Sequence, residues 1–212
     1  MALVDANYKF IYVDVGAAGR AGDAGVFNDS TLKRTLFNGS LNLPEPVIIM
    51  PNSQTKVSYH IVGDDAFPMS EHLLKPYPHK HVDTSKRVFN YRLSRARRVS
   101  ENAFGILANR FRVFLGPINL GPDTVSHIIL AASCLHNYMV EKNKMWYTSV
   151  CDVEDLENHQ LNAGVWRNDP SFTDLAPSSD RNPSQIAKEQ RFHLTNFFMS
   201  DQGKVPWQEH MI

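Results

Sequence analysis

Apolar and polar positions follow two rhythms along this 212-residue chain, and the rhythm predicts the elements. Residues 1–4 are a short apolar run, and Asp5-Ala6-Asn7 reads as a turn. Residues 8–15 are dense in aromatic and β-branched side chains and predict a strand, paired with the first run as an antiparallel hairpin. Apolar residues on both faces of that strand predict a covered, central position. Residues 16–25 carry four glycines in a spacing unlike a phosphate cradle and predict a flexible loop. Asn28-Asp29-Ser30 offers an N-cap to a helix through Leu32, Leu36 and Phe37, which Asn38-Gly39 ends. Residues 47–50 predict a short strand, and residues 57–62 a clear one that runs out at Gly63-Asp64. Pro68 starts a short helix carrying Leu73 and Leu74, stopped at Pro76-Tyr77-Pro78, and a polar loop follows to residue 85.

Between residues 89 and 114 the period is helical. Phe104, Leu107, Phe111 and Phe114 form one apolar stripe, expected in the core rather than as a base-stacking platform. After two Gly-Pro breaks, Asp123 or Thr124 caps a helix whose Ile128, Leu130, Ala131, Cys134, Leu135 and Tyr138 are apolar on more than one face, so burial is expected. Residues 148–182 are rich in Asp, Asn, Ser and Pro and read as an irregular polar segment. A last helix spans 183–198, with Asn182 as N-cap and Pro183 in its first turn. The division expected is a domain over 1–147, the irregular segment 148–182, and a C-terminal helix and tail over 183–212. The element order is that of an α/β chain with a mixed sheet and flanking helices. Its antiparallel start argues against a doubly wound nucleotide fold.

At 42% apolar and 21% charged residues the composition is globular, and a net charge of zero points to no partner by itself. Distribution says more. Residues 86–112 hold eight Lys or Arg against one acid, Glu101, whereas Asp152, Glu154, Asp155 and Glu157 follow with no base among them. The two cysteines, Cys134 and Cys151, lack metal-type spacing and fit a reducing compartment better than a disulfide scaffold. No apolar run reaches membrane-span length, and the first residues lack the pattern of a signal peptide. They read instead like the second half of a strand.

Two acids suggest chemistry. Asp64 stands at a strand exit, and Glu101 on a strongly basic helix, with Arg97 and Arg98 one turn before it. Convergent carboxylates hold Mg²⁺ or Mn²⁺, two such ions activate phosphodiester hydrolysis, and arginines beside them hold phosphates. On spacing alone the ordinary reading is stronger: a turn at Asp64-Asp65 and a solvated ion pair between Glu101 and Arg97. Asp29 is better explained as a helix cap than as a catalytic acid, and Asp65 serves either beside the ligand or in the turn. The pair His79 and His81 lacks the Cys or acid support of a zinc site, and His136, on an apolar helix, reads as a hydrogen-bonded core residue. Ser100 and Ser133 have no His/Asp arrangement around them.

Longer motifs surround the two acids. Gly63-Asp64-Asp65-Ala66-Phe67-Pro68 with Leu73-Leu74-Lys75-Pro76-Tyr77 resembles the second-aspartate motif of the PIF/Harbinger transposases. Phe89-Asn90-Tyr91-Arg92-Leu93-Ser94-Arg95-Ala96-Arg97 and Glu101-Asn102-Ala103-Phe104-Gly105-Ile106-Leu107 resemble the family's third-acid helix. Val13-Asp14-Val15-Gly16, Phe27-Asn28-Asp29-Ser30, Leu135-His136-Asn137 and Val205-Pro206-Trp207-Gln208 extend the likeness over nearly the whole chain. It implies the Harbinger transposase-derived nuclease group: an RNase H-like fold, an Asp-Asp-Glu triad and a divalent cation, Mg²⁺ or Mn²⁺. By match, Asp64 resembles the second triad acid and Glu101 the third; Arg95, Arg97 and Arg98, on the same basic helix as Glu101, are the residues expected to contact DNA phosphates. DNA as ligand, a Myb-like DNA-binding partner and a nuclear location are implied likewise.

The departure is at the front. The family's first aspartate lies in an Asp-Gly motif on a first strand, and no such motif precedes Asp64 here. Asp5 and Asp14 occupy positions the triad does not use. The expectation is therefore an incomplete domain, its first strand missing, that does not cleave DNA alone and exposes an unpaired sheet edge that reduces solubility. A non-catalytic DNA- or protein-binding module, or a fragmentary gene model, are the alternatives.

Overall fold

The computed structural model describes residues 1–17, 21–51, 53–78, 82–168 and 183–212. Its strands, in chain order, are β1 (Ala2–Val4), β2 (Phe10–Val13), β3 (Val47–Ile48), β4 (Lys56–Val57), β5 (Ile61–Val62), β6 (Leu73–Leu74), β7 (Val153–Asp155) and β8 (Gln160–Asn162). The α-helices are α1 (Gly22–Asp29), α2 (Thr31–Phe37), α3 (Thr84–Arg110), α4 (Pro122–Lys142), α5 (Lys144–Tyr147) and α6 (Gln185–Met199). The chain is thus α/β, but the described strands pair only two by two rather than in one mixed sheet. They belong to two compact units: Met1–Ala21 with Arg98–Leu175, and Gly22–Arg97 with Ala176–Ile212.

In the first unit β1 and β2 form the expected antiparallel hairpin, Ala2 opposite Val13 and Leu3 opposite Tyr12. Asp5 closes its turn: Oδ1 accepts from the N–H groups of Asn7 at 2.8 Å and Lys9 at 2.9 Å. Helix α4 pins β2 by side chains. Asn137 accepts from the Phe10 N–H and donates to the Phe10 carbonyl, both at 2.8 Å, and His136 Nε2 meets the Tyr8 carbonyl at 2.6 Å. Phe10, Ala103, Leu107 and Ala132 form the core between them, flanked by Phe111 and Phe114. Two expectations fail here. Ile11 is 61% exposed, so β2 is not covered on both faces. Helix α4 buries Ala132, Ser133, His136 and Val140 but leaves Leu135 52% and Tyr138 58% exposed: its apolar residues exceed the face that has something to pack against. Its N-cap is Gly121 with Pro122 at the first turn, in place of Asp123 or Thr124, because proline supplies the helical φ and needs no N–H partner.

The reading of an irregular segment gives way over residues 151–168. Strands β7 and β8 form an antiparallel hairpin, and a short 3₁₀ turn, Val165–Asn168, buries Trp166. The N-cap expected at Asn182 lies outside the described residues, as do His79 and His81; Ser184 caps α6, its hydroxyl accepting from the Ala187 N–H.

In the second unit Val57, Met69, Leu74, Phe89, Leu93, Ala187 and Leu194 make the core. Helix α1 begins at Gly22, inside the stretch expected to be loop, and Ser30 rather than Asp29 caps α2, accepting from the Lys33 N–H at 3.1 Å. The strand expected over 57–62 is broken into β4 and β5. Gln190 takes up the backbone between them: its amide accepts from the Ser58 N–H at 3.1 Å and donates to the Ser58 carbonyl at 3.3 Å. Leu73 and Leu74 are not helical. They form β6, parallel to β5, because both side chains are fully buried, one on each face of the strand.

Candidate functional site

Asp64 stands where the sequence placed it, just past the C-terminal end of a strand. The parallel pairing of β5 with β6 continues through the Gly63 N–H, which donates to the Leu74 carbonyl at 2.9 Å. A Cβ on Gly63 would meet Phe67 Cδ2 at 3.1 Å and Leu73 Cδ2 at 3.2 Å, so a small residue suits this exit. Asp64 Oδ1 accepts from the Ala66 N–H at 2.8 Å, an Asx turn that orients the half-buried carboxylate. Asp65 follows in the turn, and its carbonyl accepts from Lys75 Nζ at 3.3 Å.

A second acid, Asp23, feels the charge of Asp64. Burial and then the charge of Asp64 push the Asp23 carboxyl above its ordinary value. Asp23 sits in the first turn of α1, where the helix N-terminus favours an anion. Asp23 falls in the stretch expected as loop, residues 16–25; an acid three residues before Val26-Phe27-Asn28-Asp29 is the signal the sequence carries for it. Asp29, at the last position of α1, is exposed.

Glu101 lies in the other unit, on α3, in a different environment. Its Oε2 accepts from Arg167 Nη2 at 2.8 Å. The same guanidinium is held by Asp152: Nε lies 2.9 Å from Oδ1 and Nη2 2.6 Å from Oδ2. The Asp152 side chain is 0% exposed, and its Oδ1 also accepts from the Gly164 N–H at 2.7 Å. Burial alone would raise this carboxyl; the Arg167 and Gly164 hydrogen bonds and the charges of Arg167 and Arg98 outweigh it and hold it below the usual range. The Arg167 guanidinium is correspondingly raised, chiefly by its bond to Asp152. Asn102, next to Glu101, accepts on Oδ1 from the Asp152 N–H at 2.9 Å and from Trp166 Nε1 at 3.1 Å. In the sequence Asp152 figures only as one of four clustered acids and Arg167 not at all, both within the stretch expected to be irregular; Trp166, preceded by Leu161 and Val165, is the signal of packing there.

The basic residues of α3 are drawn into the fold to different degrees. Arg98 Nη1 meets Glu154 Oε1 at 2.7 Å, with side chains only 17% and 6% exposed. The Arg95 guanidinium stands 5.4 Å from the ring of Trp207, and Arg97 is half-buried. Of the acids outside the triad motifs, Asp5 serves its turn and Asp14 accepts from the Tyr12 hydroxyl at 3.2 Å. Burial pushes the Cys151 thiol up to about 11, although a hydrogen bond from Tyr8 opposes this, which disfavours the thiolate a nucleophile needs.

Carboxylates are the donors a hard divalent cation takes. Asp64 and Glu101 have that chemistry, but among the described residues no group of three or more His, Cys, Asp or Glu side chains gathers to hold a metal ion. Glu101 carries a guanidinium instead. Nor is any helix among them long and apolar enough to cross a membrane.

The family described as DDE superfamily endonuclease matches residues 1–137, a span that includes Asp64 and Glu101. A relative named "Protein ALP1-like", from Arabidopsis thaliana, is 29% identical over 142 residues, which are 66% of this chain and 34% of the relative. The chain thus spans about a third of the length of the curated relative it matches. No solved structure matches.

Proposed function

The chain belongs to the DDE superfamily endonucleases, and from that premise we propose that it carries a transposase-derived nuclease domain of the PIF/Harbinger class, built on an RNase H-like fold and directed at DNA phosphodiesters. Asp64 and Glu101 are the acids it offers to Mg²⁺ or Mn²⁺, and Asp65 supports the first of them. Such a cation, when bound, neutralises charge on a DNA phosphate. Arg95 and Arg97 are the residues of α3 proposed for phosphate contact, with Arg98 in reserve behind its ion pair. The observation that carries the reading is that one family match runs across both acids, one at a strand exit and the other on a basic helix.

In this reading the chain alone does not cut DNA, because two acids hold two ions poorly. The test is nicking of supercoiled plasmid in Mg²⁺ or Mn²⁺. No nicking is expected; metal-dependent nicking that Asp64→Ala abolishes would overturn the inactivity. DNA as ligand, a Myb-like DNA-binding partner and nuclear residence belong to the same proposal, and co-purification and imaging test the last two.

A non-catalytic DNA- or protein-binding module is the second reading, favoured by one observation: Glu101 and Arg98 are both engaged in ion pairs with residues 151–168. Salt-sensitive DNA binding that is unchanged by a chelator is its mark.

A further inference from the structure

Arg167 is fixed before it reaches Glu101. Three hydrogen bonds within 3.0 Å tie its Nε and Nη2 to the Asp152 carboxylate, which is itself anchored by the Gly164 N–H. Its guanidinium also stands 4.3 Å from the ring of Trp166, and the indole N–H of Trp166 is held by Asn102 on α3. A preorganised guanidinium loses little freedom on binding a further carboxylate, so its contact with Glu101 is stronger than that of a mobile surface arginine. One cation then serves two carboxylates, Asp152 and Glu101, through a shared Nη2. A hard divalent cation takes the same kind of carboxylate oxygen. Yet the guanidinium already lies against Glu101 Oε2, where such a cation would bind.

We propose that Arg167 is the internal counter-ion of Glu101, and that a divalent cation reaches Glu101 only in competition with it. This rests on the reading of Glu101 as a metal-binding acid, and the disagreement between that reading and the observed ion pair is what the proposal resolves. Arg167 is a positioning residue: it holds the carboxylate oriented and neutralised by an arginine that the chain itself supplies.

The test uses the full chain and Mn²⁺ alone as probe, with affinity read by calorimetry and folding checked by cooperative melting. Arg167→Gln should bind Mn²⁺ about tenfold more tightly than the wild type, the factor that 1.4 kcal/mol of lost competition gives. Adding Glu101→Gln should remove the gain. Arg167→Lys keeps a charge near Asp152 without the fork that spans both acids, and should show a gain of several-fold; it carries the test if Arg167→Gln does not fold. Unchanged or weaker Mn²⁺ affinity in folded Arg167 variants would overturn the counter-ion role, and Glu101 would still stand as a ligand if Glu101→Gln weakens wild-type binding. A gain that survives in the double variant would instead remove Glu101 as the ligand, and this proposal with it.

Discussion

The indole of Trp166 packs onto the α-carbon of Gly105, so closely that a Cβ there would lie 2.3 Å from Cδ2 and 2.4 Å from Cγ. Gly105 is inside α3, one turn beyond Glu101 and toward the helix's C-terminal end, where glycine still costs helix stability. Its value is the space it gives the ring. That space lets the Asn102–Trp166 hydrogen bond form and brings the next residue, Arg167, to Glu101.

Gly105→Ala sets two effects against each other. Alanine gains up to about 1 kcal/mol of helix propensity. The clash forces a buried ring to move, at a cost of roughly 1–3 kcal/mol. Contacts this short are far inside van der Waals range, so overpacking should win. The expected result is a melting temperature lower by several degrees and a red-shifted tryptophan emission. A variant as stable as the parent would mean that the indole is not held on this face.

Arg98 separates stability from DNA contact. Its partner Glu154 is nearly inaccessible, and Arg98→Ala strips a charge-assisted hydrogen bond from it. The expected loss is ~2–3 kcal/mol, well above the effect of an ordinary surface change. Arg97→Ala should cost less stability and, if Arg97 touches a phosphate, lower the slope of log affinity against log salt by about one. Equal melting of the two variants would contradict the ion-pair assignment.

Local chemistry explains which parts of this architecture were legible. The hairpin of β1 and β2, the exit at Asp64 and the helix around Glu101 are written in contiguous patterns: a turn between β-rich runs, a glycine before an acid, a 3.6-residue period. What failed depends on contacts remote in sequence. Leu73 and Leu74 are a strand because β5 lies beside them, and the break at Ser58 is made by Gln190. The face of α4 chosen for burial is set by β2, through Asn137 and His136. At the site, composition hid the two residues that matter most to Glu101: Asp152 and Arg167 sit in a polar run whose packing rests on Gly105 and Asn102, far upstream. Several motif residues turn out to serve structure. Gln208 donates to the Phe198 carbonyl at 2.9 Å and accepts from Arg92 Nη1 at 3.2 Å, which holds the C-terminal tail.

Acid should loosen the strap over Glu101. The Asp152 carboxyl is held below its ordinary value in the folded chain. The unfolded chain therefore binds the proton first, near pH ~3.9, and the stability Asp152 contributes is present above that pH and lost as pH falls through the lower folded value. In wild type, unfolding free energy from urea titrations should fall between about pH 5 and pH 3. Asp152→Asn should be less stable at neutral pH and lose less over the same interval. Parallel pH profiles for the two proteins would show that this carboxylate is not the acid-sensitive group.

Two histidines give a separate, milder sensitivity. Burial lowers the pKa of His136 despite the Tyr8 carbonyl, and lowers that of His60 despite the Ser58 carbonyl, with the charge of His72 adding to the fall at His60. At His136 the reason is visible: Nε2 is spent on Tyr8, and among the described residues the buried Nδ1 has no hydrogen-bond partner to accept from a second N–H. A depressed folded pKa means the unfolded chain takes up the proton first. Stability should thus be full above about pH 6.5 and decline as pH falls through the folded values. His136→Phe keeps ring packing against Phe10 and Tyr147, whose centroids lie 4.9 Å and 5.3 Å away, but loses the Tyr8 hydrogen bond. It should therefore be less stable at pH 7.5 yet flatter between pH 7.5 and 5.5, measured by urea unfolding, with His60→Asn removing a further part of the slope. A slope untouched by both substitutions would place the titrating groups elsewhere.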